Sequence, residues 1–149
     1  MSTQPDKNSP ADGRKGTILI VDDHPVNIRL LEKILDAGGY RTLAAENGPE
    51  GRKLAASRLP DLILLDIMMP GESGFESCEK LKKDPQTAHL PVVFLSAKTD
   101  TESKVTGLTL GAVDYMTKPF DKKEVLASVG RHLETRDTYR GIIELQAAK

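Results

Sequence analysis

Five polar side chains stand at the ends of short apolar runs, and their chemical types could together hold a cation and an anion. They are three carboxylates, a hydroxyl and an amine: Asp22, Asp23, Asp66, Ser96 and Lys118. Unit charges about 4 Å apart repel by about 4 kcal/mol at an effective dielectric constant near 20, so clustered carboxylates must be protonated, take up lysine or bind a cation. Lys118 supplies one positive charge, and a hard divalent ion such as Mg²⁺ would supply the rest. An anion such as a phosphoryl group could then be held by metal, amine and hydroxyl together.

Short apolar runs between turn signals predict the strands that position these side chains. Strands are expected at residues 17–21, 40–46, 61–65, 91–95 and 112–117, the second nearer an edge, and helices at 25–37, 47–57, 73–83, 100–110 and from 121 onward. Five β-then-α units in alternation predict an α/β fold, a doubly wound five-stranded parallel sheet with helices on both faces. Because the carboxyl ends of parallel strands share one edge, where ligands bind, the polar residues are expected together there.

Apolar spacing predicts which helix faces are buried. The expected buried residues are Val26, Leu30, Leu31, Ile34 and Leu35 in the first helix and Val105 and Leu108 in the fourth. Cys78, at helical spacing from other apolar residues, is expected to be a small core residue.

Length and composition restrict the class of protein. The chain has 149 residues, a formal net charge of −1, 38% hydrophobic and 29% charged residues, which is typical of one globular domain. The net charge gives no argument for nucleic acid, no apolar run approaches the about 20 residues that span a bilayer, and a single cysteine cannot form an internal disulfide. We therefore expect a cytoplasmic protein with no membrane association and no direct nucleic-acid binding. Residues 1–16 have the composition of a disordered leader.

The motifs around these residues resemble the receiver domain of two-component response regulators. The resemblance covers residues 17–131 and rests on Asp22–Asp23, Asp66 to Pro70 with Gly74, Ser96–Ala97 and Lys118–Pro119–Phe120. It implies a flavodoxin-like (βα)5 fold with strand order 2-1-3-4-5. It also implies a phosphoacceptor switch that catalyses only its own phosphorylation and dephosphorylation, rather than an enzyme.

The resemblance assigns the acceptor and the metal ligands. Asp66 would accept a phosphoryl group from a sensor histidine kinase or a phosphotransfer protein in a metal-assisted, in-line transfer. Asp23, Asp66 and the backbone carbonyl of Met68 would ligate Mg²⁺, or Mn²⁺ in its place, with Asp22 acting largely through water.

The resemblance also assigns the phosphoryl contacts and the switch. Lys118 and Ser96 would each contact a phosphoryl oxygen, and the Lys118–Pro119 bond would be cis. Tyr115 would turn inward behind Ser96 and alter the surface formed by the fourth helix, fifth strand and fifth helix. That surface would control a downstream effector or a fused output domain.

Each site residue also has a plain structural explanation. Asp22 and Asp23 could cap the following helix, and Asp66 could be a turn residue. Convergence with Lys118 favours the metal site for these acids. Ser96 could be a cap and Tyr115 an ordinary strand aromatic.

The histidines invite similar alternatives. His24, beside the acids, could be a metal ligand or an exposed loop residue, and the sequence favours the exposed loop. His89 and His132 are expected to be solvated.

Two other classes of function compete with the switch. A phosphatase with an aspartyl nucleophile on a similar sheet needs a second acid two residues after Asp66, where this chain has Met68. A scaffold that docks partners without phosphorylation usually lacks an acidic or lysine position, and none is missing here.

Residues 132–149 extend beyond a minimal receiver, and their heptad pattern is broken. They form either one extended, partly frayed helix or a signalling helix that pairs two receivers as a homodimer or leads to an output domain. Ser128 stands where one large subfamily of DNA-binding regulators carries an arginine for its dimer face, so that dimer is not expected.

Overall fold

The structure, a computed structural model, describes residues 13–97 and 101–147, with the backbone alone for 101–104 and 136–147. Most of the predicted leader, residues 1–12, lies outside the described residues. Strands and helices alternate in the order β1 (Thr17–Val21), α1 (Pro25–Ala37), β2 (Arg41–Ala45), α2 (Gly48–Arg58), β3 (Leu62–Asp66), α3 (Gly74–Lys83), β4 (Val92–Ser96), α4 (Thr101–Thr109), β5 (Asp114–Thr117) and α5 (Lys122–Ala147).

The five strands form one parallel sheet in the order β2-β1-β3-β4-β5, which confirms the predicted fold class and strand order. The central strands β1, β3 and β4 are buried at every position, as expected where helices cover both faces. The edge strands β2 and β5 are largely half-buried. The expected position of β2 at an edge is therefore confirmed.

Alternate strand residues build two cores, one on each face of the sheet. On one face the strands contribute Ile18, Ile20, Leu62 and Leu64, which share a core with Leu31 and Leu35 of α1 and Val125 and Val129 of α5. On the other face Leu19, Val21, Ile63 and Leu65 share a core with Ala55 of α2 and Cys78 and Leu81 of α3. Cys78 is a core residue, as predicted. Each fully buried aliphatic side chain contributes about 1.5–3 kcal/mol, so both faces fix the strand ends firmly.

The predicted buried face of α1 was wrong at Val26 and Leu30, which are 67% and 41% exposed. The residues that cover the sheet are Ile28, Leu31, Ile34 and Leu35. Val26 and Leu30 are four residues apart and so share a side of the helix, but that side is rotated away from the stripe that starts at Ile28.

The predicted anchors of α4 were also wrong, because Val105 and Leu108 are 58% and 46% exposed. Gly107 faces the sheet instead, and a Cβ built on it would lie 2.7 Å from Cδ2 of Phe94. The helix therefore approaches the buried ring through a residue without a side chain, and its apolar neighbours point outward.

The last helix continues well past residue 131. α5 has 26 residues, from Lys122 to Ala147. The predicted division into a receiver at 17–131 and an extension at 132–149 stays a prediction.

Of the helices that the structure describes, none has both the length and the apolar character needed to cross a bilayer.

Candidate functional site

The carboxyl ends of four parallel strands bring most of the predicted site residues to one edge of the sheet. The register places Asp66 beside Leu95 and Ser96 beside Thr117. Neighbouring strands therefore end at nearly the same level of the sheet. The residues at or just after these strand ends are Asp22, Asp66, Ser96 and Lys118.

Lys118 joins two of the strand ends electrostatically. Its Nζ lies 3.3 Å from Asp66 Oδ1, to which it donates a hydrogen bond, and 3.3 Å from Asp22 Oδ2. The backbone N–H of Lys118 donates to the carbonyl of Ser96 over 2.6 Å, and the Lys118–Pro119 peptide bond is cis. The Lys118 side chain is 18% exposed, so it is largely shielded from solvent.

The acidic cluster, Asp22, Asp23 and Asp66, carries more negative charge than Lys118 offsets. Asp22 is fully buried and Asp66 is 2% exposed. Within this cluster, three buried carboxylate oxygens accept no hydrogen bond from the part of the chain that the structure describes: Asp22 Oδ2, Asp23 Oδ1 and Asp66 Oδ2. Asp22 Oδ2 lies within ion-pair distance of Lys118 Nζ but without hydrogen-bond alignment. Buried carboxylate oxygens without donors are costly, so this cluster favours a bound cation.

The pKa of Asp66 reflects the same imbalance. Burial is the largest of the causes that raise this pKa from 3.8 to about 6, followed by the negative charge of Asp22 and, with a weaker effect, that of Asp23. Lys118 acts in the opposite direction and does not restore the ordinary value. Asp66 therefore sits in a site where neutralisation of its charge is favourable.

The donor set of the acidic cluster suits a hard divalent cation. One ligand atom from each of Asp22, Asp23, His24 and Asp66 lies within 4.8 Å of the others. Carboxylate oxygens at this spacing are typical ligands of Mg²⁺. The Met68 side chain is 73% exposed and takes no part in the core. The role of the Met68 carbonyl as a ligand stays a prediction.

Sequence reasoning missed an ion-pair network that fixes the loop after Asp66. Glu72 accepts two hydrogen bonds from Arg52 of α2, at 2.8 and 2.9 Å, and one each from Ser77 at 2.6 Å and Lys80 at 2.9 Å. These bonds lower the pKa of Glu72 to about 2, the bond from Arg52 having the largest effect. At the far end of the loop, a Cβ on Gly74 would overlap the carbonyl of Asp66. The loop is thereby held against α2 and α3.

The two predicted switch residues lie on the β4–β5 side of the acidic cluster. Ser96, 7% exposed, ends β4. Tyr115 is half-buried and packs against the core that α2 and α3 cover. Its backbone N–H donates to Asp114 Oδ1 over 2.8 Å. The switching roles of Ser96 and Tyr115 stay predictions.

Of the three histidines, His132 differs from the expectation. His24 is exposed, as predicted, but its Nδ1 lies 3.2 Å from both Asp22 Oδ1 and Asp23 Oδ1. His132 was expected to be solvated, which is wrong: its side chain is 17% exposed and its Nε2 lies 2.9 Å from Asp114 Oδ2. His89 is exposed.

Comparison with known proteins agrees with this geometry. A family model described as the response regulator receiver domain matches residues 18–130. The response regulator PleD of Caulobacter vibrioides is 48% identical over 112 residues, which are 75% of this chain and 25% of PleD. Protein PilH of Pseudomonas aeruginosa is 42% identical over 112 residues, which are 75% of this chain and 93% of PilH.

A solved structure shows the same fold. The crystal structure of the receiver domain of the sensor histidine kinase PA1611 from Pseudomonas aeruginosa has a TM-score of 0.74 and is 27% identical, covering 80% of this chain and 98% of that chain. That structure is described as having a magnesium ion coordinated in the active site cleft.

Proposed function

Since this chain belongs to the family of response regulator receiver domains, we propose that Asp66 accepts a phosphoryl group from a sensor histidine kinase or a phosphotransfer protein. The observation that carries the proposal is the position of Lys118 Nζ, 3.3 Å from carboxylate oxygens of both Asp66 and Asp22, beside buried carboxylate oxygens without donors. Phosphoryl transfer is catalysed mainly by positioning and charge neutralisation, which such a site provides.

Asp66 acts as the nucleophile. A carboxylate oxygen attacks the phosphorus of a phosphohistidine in line with the leaving imidazole, so that a P–O bond forms as the P–N bond breaks. Lys118, which already contacts Asp66 Oδ1, would pair with one phosphoryl oxygen. The Ser96 hydroxyl would donate to another. Two donors would then orient the group that Asp66 has received.

Asp23, Asp66 and the backbone carbonyl of Met68 would hold Mg²⁺, or Mn²⁺ in its place, with Asp22 acting through water. When bound, the ion offsets the negative charge of the carboxylates and of the phosphoryl oxygens. The buried oxygens of the acidic cluster without hydrogen-bond donors support this assignment. The magnesium ion in the cleft of the PA1611 receiver domain supports it by similarity.

Phosphorylation would switch the surface formed by α4, β5 and α5. An aspartyl phosphate adds negative charge and acceptor oxygens beside Ser96, which would draw its hydroxyl and then Tyr115 inward. Among the side chains that the structure describes, Val105 and Leu108 of α4 are 58% and 46% exposed, and Val113, just before β5, is 43% exposed. We propose that this surface controls a downstream effector, a fused output domain or a second copy in a homodimer. Absence of direct nucleic-acid binding by this chain stays a prediction.

The acceptor can be tested by incubating the protein with Mg²⁺ and acetyl phosphate and measuring the intact mass. Wild type should gain one phosphoryl group. Asp66→Asn, or wild type with a chelator, should gain none. A phosphoryl group on Asp66→Asn, or on another residue of wild type, would contradict the assignment.

The metal ligands can be tested in the same assay. Asp23→Ala should raise the Mg²⁺ concentration that half-maximal phosphorylation requires by at least about tenfold. Asp36→Ala is the matched control, since Asp36 is 69% exposed and pairs with Arg14 outside the acidic cluster. An unchanged Mg²⁺ titration in Asp23→Ala would argue against its role as a ligand.

A further inference from the structure

His24 brings an imidazole nitrogen to the edge of the acidic cluster. Its Nδ1 lies 3.2 Å from Asp22 Oδ1 and 3.2 Å from Asp23 Oδ1. One atom of Asp66 completes a group of four possible ligand atoms, all within 4.8 Å of one another. Ligand atoms of one metal ion at bond lengths of about 2.0–2.2 Å lie at most about 4.4 Å apart. The widest separation here, within 4.8 Å, would therefore need to shorten by no more than a few tenths of an ångström for the four atoms to share an ion.

Two further observations point to a ligand at this position. His24 is the N-cap residue of α1, but its side chain makes no capping hydrogen bond, so the helix start does not explain where the ring lies. The ring faces carboxylates of which Asp22 and Asp66 are at least nine-tenths buried, each with an oxygen that accepts no hydrogen bond. The imidazole, whose Nδ1 lies within hydrogen-bond distance of Asp22 Oδ1 at 3.2 Å, is therefore placed beside carboxylate oxygens that accept no hydrogen bond.

An imidazole changes which metal a carboxylate site prefers. Carboxylates, carbonyls and water suit Mg²⁺ and Mn²⁺, whereas imidazole nitrogen suits Zn²⁺, Cu²⁺ and Ni²⁺. Zn²⁺ takes histidine nitrogen and aspartate oxygen together and is commonly four-coordinate, the number of ligands available here. The cluster thus contains a donor that Mg²⁺ does not need and Zn²⁺ favours.

We propose that His24 Nδ1 is a direct ligand that lets this cluster bind Zn²⁺ with the carboxylates of Asp22, Asp23 and Asp66, in competition with Mg²⁺. The inference rests on the proposed function only in that both place a divalent cation among these carboxylates. Mg²⁺ ligation as proposed above uses oxygen atoms alone. His24 supplies the nitrogen ligand, so the preference for Zn²⁺ would depend on His24.

The test combines calorimetry and NMR on the full chain. Calorimetry gives the dissociation constants of Zn²⁺ and Mg²⁺ for wild type and for His24→Ala. The ratio of Zn²⁺ affinity to Mg²⁺ affinity should fall in His24→Ala by about 10- to 100-fold, the range that changes in a metal site's ligand environment produce. His89→Ala, which removes an exposed histidine elsewhere, should keep the wild-type ratio.

Ring nitrogen chemical shifts in wild type provide a readout that needs no variant. Zn²⁺ is diamagnetic, so stoichiometric Zn²⁺ should shift Nδ1 of His24 while the signals of His89 and His132 stay in place, and excess Mg²⁺ should reverse the shift. Shifts confined to His89 or His132, or a ratio unchanged in His24→Ala while Mg²⁺ binds wild type normally, would overturn this inference alone. Wild type that binds neither ion would overturn the proposed metal site as well.

Discussion

Lys118 Nζ lies 3.3 Å from Asp66 Oδ1 although the two residues are 52 positions apart in the chain. The same amine lies 3.3 Å from Asp22 Oδ2, and Asp23 adds a third carboxylate. When all four groups are ionised, three negative charges and one positive charge leave a net charge of −2. The metal-free protein therefore carries an electrostatic cost at this site. Burial and, after it, the charge of Asp22 raise the pKa of Asp66, which is one sign of that cost.

Replacing Asp66 by asparagine should stabilise the metal-free protein. The change removes one of three mutually repelling carboxylates and keeps nearly the same shape, so the free energy of unfolding near neutral pH should rise by about 1–3 kcal/mol. Urea denaturation in the presence of a chelator measures it. Asp36→Asn, an exposed site away from the cluster, is the control and should change stability by less than about 0.5 kcal/mol. A lower stability of Asp66→Asn would mean that the carboxylate makes favourable contacts that outweigh the repulsion.

Removing the amine should have the opposite effect. Lys118→Met leaves the acidic cluster without a cation and should lower the free energy of unfolding of the metal-free protein by about 1–3 kcal/mol. Added Mg²⁺ should restore part of that loss. In a double-mutant cycle with Asp66→Asn, the cost of Lys118→Met should become smaller, because less negative charge is left unpaired. Additive effects would show that Lys118 and Asp66 do not interact energetically.

The layout of the site could be predicted from the sequence because polar residues end apolar strands. Asp22, Asp66 and Ser96 each follow a run that is buried on both faces, and parallel strands end at one edge. The strand order itself does not follow from apolar patterning, since any right-handed doubly wound arrangement buries the same runs. It came from the family resemblance.

Contacts between loops and helices could not be predicted in this way. Glu72 and Arg52 are 20 residues apart in segments with no shared periodicity, so nothing in the pattern indicates their pairing. The apolar residues of α4 misled the prediction for a related reason. Gly107 faces Phe94, whereas Val105 and Leu108 were expected to be the buried residues of the helix, and a pattern of apolar side chains gives no sign of a contact made by a glycine.

Glu72 should make the protein's stability sensitive to acid. Its pKa is lowered from 4.5 to about 2, with the hydrogen bond from Arg52 as the main cause. A carboxylate with a lowered pKa stabilises the folded state above the unfolded-state pKa and loses that contribution as the pH falls toward the folded-state value. Glu72→Gln should therefore cost about 2 kcal/mol near neutral pH, and the difference from wild type should shrink steadily below about pH 4.5.

A neighbouring glutamate provides the control for that measurement. Among the residues that the structure describes, Glu79 pairs with Lys83, one helical turn away, and both side chains are more than half exposed. Glu79→Gln should cost less than about 0.5 kcal/mol at any pH, because exposed ion pairs contribute little. Denaturation midpoints for the three proteins across the acid range distinguish the cases. Parallel curves for wild type and Glu72→Gln would show that the network does not contribute through its charge.

Tyr115 should be required for the response of α4 to phosphorylation but not for phosphorylation itself. The methyl groups of Val105 and Leu108 are exposed and can be followed by NMR, and they should change their chemical shifts when acetyl phosphate and Mg²⁺ are added to wild type. Tyr115→Ala should still gain a phosphoryl group by intact mass, because the variant keeps the Asp66 carboxylate and the Lys118 amine that the transfer requires. In Tyr115→Ala, the methyl signals of Val105 and Leu108 should keep the positions that they have in the unphosphorylated protein.

The truncation of the half-buried Tyr115 side chain should also lower the free energy of unfolding by about 1–3 kcal/mol. Val113→Ala, an exposed change just before β5, should respond as wild type does, and a full methyl response in Tyr115→Ala would exclude the tyrosine from the switch.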